Sequence, residues 1–179
     1  NAGKAALAAN RIDAVWGGMS LLALRGDKIN IVAKSSDTGL RNTTQAGFFA
    51  TQEFINRWPQ ATQQIVNILV RNAAEISDSK NRQSWSAEMA QQSQIPQALF
   101  LEQLPPTQLN FMTSPRLDVF LNGNLGSSIS QAKNECLIRS AFDASQWGDD
   151  HFVEQALKAD HLTKHWPLYN TEGQVMAKD

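Results

Sequence analysis

Apolar positions change their spacing once along this chain, near residue 50. Before that point, short β-branched runs alternate with helical ones. Ile12 to Trp16 and Ile29-Asn30-Ile31-Val32-Ala33 have strand composition, and Gly47-Phe48-Phe49-Ala50 reads as a third strand. Alanine-rich Lys4 to Asn10 and the almost wholly apolar Met19 to Arg25 read as helices, the second stopped by Gly26-Asp27. The first two strands around one helix predict a right-handed βαβ unit with a parallel pair. Lys34 to Gln45 is polar, rich in Ser, Thr and Asn, and predicts a crossing loop or hinge.

From Thr51 onward the period is helical. Thr51 suits an N-cap, with Glu53 in the first turn. Pro59 suits the first turn of a long helix. Ile65, Ile68, Leu69, Asn72, Ala73 and Ile76 fall on one face of that helix. Asn81 to Gln92 predicts another helix, with Trp85 and Met89 four apart. Pro96 starts a short one and Pro105-Pro106 ends it. Ser114-Pro115 predicts the N-cap and first turn of a helix through Leu117, Phe120 and Leu121. Gly123 and Gly126 disturb that pattern before Ser128 to Leu137 resumes it. Asp149 or Asp150 caps a last helix, Phe152 to Lys158, and the tail after Trp166-Pro167 has no period.

Composition adds exclusions. The 179 residues suffice for one ordinary core. With 16 basic and 17 acidic residues, a net charge of -1 and no basic block, the chain lacks a nucleic-acid footprint. The longest near-apolar run, Ala14 to Leu24, is interrupted by Gly17, Gly18 and Ser20 and is too short to span a bilayer. Cys136 is the sole cysteine, which excludes an internal disulfide within these residues. Its neighbours Leu137 and Ile138 predict a buried small hydrophobe.

Candidate chemistry centres on the turn between the first strand and the second helix. Gly17-Gly18 at a helix start would offer backbone N–H groups to an anion or polar ligand. The same pair would equally serve a tight turn that needs glycine only for backbone shape. Trp16 suits stacking on an organic ligand, or a place in the core. Ser35, Ser36 and Thr38 are donors in the crossing loop. His161 and His165 are four apart, with Asp160 and His151 nearby, but no further ligand stands at a diagnostic spacing. No metal and no cofactor are therefore expected. Without a nucleophile elbow, phosphate loop or Cys–His pairing, no catalytic residue is assigned.

Taken in order, these motifs resemble the C-terminal half of the periplasmic substrate-binding proteins of the nitrate, sulfonate and taurine type. Asn10-Arg11-Ile12-Asp13-Ala14 is similar to that group's Gly-x-[VI]-Asp-Ala strand. Phe48 to Pro59 is similar to its strand and Pro-terminated helix, and Val66, Leu69 and Ala73 to its Val-x-x-Leu-x-x-Ala helix. Leu137-Ile138 and Trp147-Gly148-Asp149-Asp150-His151-Phe152, before Ala156-Leu157, match its closing motifs. The template covers nearly all of residues 4–160. The chain departs from the sulfonate-binding version at Val15-Trp16-Gly17-Gly18-Met19-Ser20, where aromatic residues and an Asp-Pro pair usually stand. The ligand class therefore stays open.

The resemblance implies an α/β chain, part of a two-lobe type II periplasmic-binding-protein fold, this portion mostly helical with a few short strands. Residues 1–34 would end the second lobe, 35–46 would form the crossing loop or hinge, 47–166 would belong to the first lobe, and 167–179 would be a tail. The first lobe's opening and most of the second would precede residue 1. The implied function is the substrate-binding component of an ABC importer, holding a small anionic or organosulfur or nitrogen compound between two lobes. Trp16, Gly17, Gly18, Met19 and Ser36 are the expected ligand contacts. Partners would be that small molecule and a membrane permease, in the periplasm or on a lipid anchor. The alternative is a cytoplasmic enzyme on the same scaffold, desulfinase-like or pyrimidine-synthase-like, with its catalytic residues upstream. Strands without sheet neighbours expose their edges, so this chain alone is expected to dimerise, swap or associate with the missing part.

Overall fold

Local helix signals account for almost every regular element. The computed structural model describes residues 2–24, 29–34 and 47–176. Among them are α1 (Ala2–Ala8), α2 (Met19–Leu22), α3 (Gln52–Arg57), α4 (Pro59–Ser77), α5 (Arg82–Ser93), α6 (Gln97–Gln103), α7 (Leu109–Thr113), α8 (Val119–Asn134) and α9 (His151–Ala159). Two of the expected helix starts are present, while Asp150 precedes α9 without a side-chain cap hydrogen bond and Asp149 accepts instead from His151 N–H at 3.2 Å. Thr51 Oγ1 accepts a hydrogen bond from Phe54 N–H at 3.1 Å, and α4 begins at Pro59. The helix expected from Ser114-Pro115 starts later. Asp118 caps α8, its carboxylate accepting from Leu121 N–H at 3.1 Å. Gly123 and Gly126 lie inside α8 without interrupting it.

The expected strands do not form. Among the described residues, bridging is confined to isolated positions, at Ile29 and between Tyr169 and Val175. Residues 12–16, 30–34 and 47–50 are irregular, so the βαβ unit is absent. The physical reason is that a strand is not a local structure. β-Branched residues favour it, but only a paired neighbour satisfies its backbone. α2 is likewise a single turn with no buried residue, shorter than Met19 to Arg25. The expected crossing loop lies mostly outside the described residues.

The chain divides into two units, residues 1–41 with 78–109 and residues 42–77 with 110–179. Residues 78–109 thus group with the N-terminal segment. In the first unit α5 packs on α6. Trp85 meets Phe100 edge to face at 6.4 Å, and Gln97 donates to the hydroxyl of fully buried Ser86 at 3.0 Å. The Arg82 guanidinium ties the end of α6, donating to the carbonyls of Leu101 and Leu104.

In the second unit α4 packs on α9. Val66, Val70, Phe152, Ala156, Leu157 and Trp166 form its core, with Ile55, Ala73, Ala74, Val153 and Leu162 packed around them. The buried positions of α4 are Thr62, Val66, Val70 and Ser77. Ile68 and Leu69 are 57% and 45% exposed. The buried stripe is therefore about a quarter-turn from the one the largest side chains suggested. α4 is apolar on two faces, and α9 packs on the one that carries the smaller residues Val66, Val70 and Ala73. The tail is not loose. Tyr169 and Val175 pair around a turn with Gly173 at φ 76, and Trp166 and Tyr169 are buried. Asp118 joins this tail to α8, accepting from Tyr169 N–H at 3.2 Å, while the Tyr169 ring packs edge-on to Phe111. Burial, then the Asp118 charge, pushes the Tyr169 hydroxyl pKa up.

Cys136 is exposed, contrary to expectation. Its apolar neighbours misled because it sits just past the end of α8 in the left-handed region, at φ 58. There its N–H reaches Lys133 O at 3.1 Å and Leu137 N–H reaches Ala132 O at 2.8 Å, a Schellman ending. Asn10, Gln94 and His161 end their helices in the same left-handed conformation. Glycine adopts this backbone without a Cβ penalty, against which stands its greater freedom when unfolded. We expect Cys136→Gly to raise stability by up to about 1 kcal/mol. The check is a urea midpoint for the variant beside wild type. A lower midpoint would mean that the Cys136 side chain contributes contacts outweighing its backbone strain.

Candidate ligand site

The expected ligand turn is well exposed. Gly18 is the N-cap of α2, with φ -95 and ψ -157, extended backbone that any residue adopts. A Cβ built at Gly18 would meet nothing within 4 Å. A Cβ at Gly17 would lie 2.4 Å from Leu21 Cδ1, a flexible side-chain end. Trp16 is 76% exposed, and Met19 is half-buried at the start of α2. Four neighbouring positions thus sit together at one surface turn, but α2 is only four residues long and supplies little dipole. Ser36, with Ser35 and Thr38, lies outside the described residues.

Two open depressions flank this region within the first unit. The larger, about 800 Å³, is bordered by Leu7, Asn10, Ile12, Asp13, Leu24 and Ile29. The smaller, about 440 Å³, is bordered by Lys4, Ala5, Ser20, Ser93, Gln94 and Ile95. Trp16, Gly17, Gly18 and Met19 line neither, although Ser20 borders the smaller one. The sequence analysis does not single out Lys4 and Gln94, a cation and an amide that border the same depression as Ser20. Lys4 lies in a helical segment and Gln94 is distant from it in sequence, so local pattern carries no signal for either.

The histidines disperse rather than converge. His151 Nδ1 pairs with Asp149, His165 Nε2 lies 2.6 Å from Ser77 Oγ, and His161 ends α9. Asp160 is occupied by Arg71, which donates through Nε at 2.8 Å and Nη2 at 2.9 Å. Among the described residues no three of His, Cys, Asp and Glu form a metal-sized cluster. In the same unit Arg116 donates to Glu154 at 3.0 Å and to the Thr163 carbonyl at 2.6 Å, while its buried Nε has no hydrogen-bond partner among the described residues.

The Arg71–Asp160 fork has a pH signature. Its hydrogen bonds to Arg71 hold the Asp160 carboxyl below its ordinary value of 3.8. A depressed carboxyl pKa contributes stability above the ordinary value, lost as pH falls through the folded one. Arg71→Ala should therefore lower the urea midpoint at neutral pH, and the gap from wild type should close in acid below that value. A gap independent of pH between neutrality and pH about 2 would assign the effect to lost Arg71 packing instead.

No protein-family model, curated protein or solved structure matches the chain. Among the described residues no helix is long and apolar enough to cross a membrane.

Proposed function

We propose that this chain is the C-terminal portion of a periplasmic substrate-binding protein of an ABC importer. Its ligand is a small anionic or organosulfur or nitrogen compound held between two lobes. The observation that supports this reading is a set of strand-type segments that are irregular apart from a bridge at Ile29 among the described residues and that expose apolar side chains. Val32 is 94% exposed and Phe49 is 68% exposed. Apolar side chains in such numbers are covered in a folded protein, and a strand's backbone needs partners. The segments are read as strands of a sheet completed by the missing part of each lobe. The run of helices from α3 to α9, with Thr51 and Pro59 as α3 and α4 starts, supports the same template. Ile68 and Leu69 on the open face of α4 supply a surface for that missing part.

In this reading the protein performs no chemistry. Ligand contacts from both lobes favour a closed state over an open one, which then docks on a membrane permease. Trp16, Gly17, Gly18, Met19 and Ser36 are the proposed contributions of this portion. The test is calorimetry against nitrate, taurine and alkyl sulfonates, using the protein that carries both lobes and, separately, residues 1–179. Expected are micromolar binding by the former and nothing tighter than about millimolar by the latter, about -4 kcal/mol. In the two-lobe protein Gly18→Val should weaken binding more than tenfold, while the open space around Gly18 leaves thermal stability unchanged. Micromolar binding by residues 1–179 would place the whole site within them. Absence of binding by the two-lobe protein would remove these ligands, and unchanged affinity in Gly18→Val would remove the glycine turn from the site.

A further inference from the structure

We draw no further inference here: the strongest candidate, the exposed aromatic cluster of Phe49, Phe142 and Trp147 before α9, carries none because nothing in the structure shows what covers it.

Discussion

Replacing Trp166 with alanine is expected to destabilise the second unit by about 3–5 kcal/mol. Trp166 is only 2% exposed, and it joins Val66 and Val70 of α4 and Phe152, Ala156 and Leu157 of α9 in one cluster. Its indole N–H donates to Thr113 Oγ1 at 3.3 Å, and the His165 ring meets it edge-on at 4.4 Å. Truncation removes the largest side chain of this core and leaves a cavity that the two helices can fill only by moving together. Interiors at crystal-like density resist such collapse. Trp166→Phe keeps most of the apolar area and loses the hydrogen bond, so its cost should be nearer 1–2 kcal/mol, roughly. Chemical denaturation followed by far-UV circular dichroism would measure both. A cost under about 1 kcal/mol for the alanine variant would mean that the segment after α9 is an appendage rather than part of the core.

The second large effect separates the two apolar faces of α4. Val70→Asp should cost about 4 kcal/mol or more, because it puts a carboxylate without a partner at a position 1% exposed. Ile68→Asp, two residues away and 57% exposed, should change stability by about 0.5 kcal/mol or less, helix propensity included. The pair shares a helix and a charge change, so helix propensity and net charge cancel in the comparison. The measurement is thermal unfolding of both variants in residues 1–179. Equal losses would show that the open face of α4 is buried in solution, by self-association or by another part of the chain. Repeating the scan at several protein concentrations would then identify self-association through a concentration-dependent midpoint.

The elements legible in the sequence are those whose stabilising interactions are local. Thr51 reaches a backbone N–H three residues ahead, and Pro59 meets a position where no N–H is needed. Helices α3 to α6 and α9 could therefore be placed from caps, prolines and period, mostly to within a few residues, whereas α7 (Leu109–Thr113) has no such signal and was not expected. The later start of α8 is instructive. Ser114-Pro115 is a valid local signal, but Asp118 also binds Tyr169 N–H, and this remote contact accompanies the start at Val119. Candidate chemistry was less legible. The Trp16-to-Met19 cluster needed only adjacency, whereas the grouping of Lys4 and Ser20 with Gln94 joins segments far apart in the chain.

What the sequence by itself determined is therefore most of the helical inventory, with the starts at Thr51 and Pro59. Each follows from interactions spanning three or four residues. Tertiary structure alone decided three things. It buried Thr62, Val66 and Val70 rather than Ile68 and Leu69, because Val66 and Val70 share a core with Phe152, Ala156 and Leu157 of α9. It drew Trp166 and Tyr169 into the interior from a segment without period, through Thr113, Asp118 and Phe111. And it left the strand-type residues of 12–16, 30–34 and 47–50 irregular, because strand composition is a preference for a neighbour, and pairing is supplied only by chain brought from elsewhere.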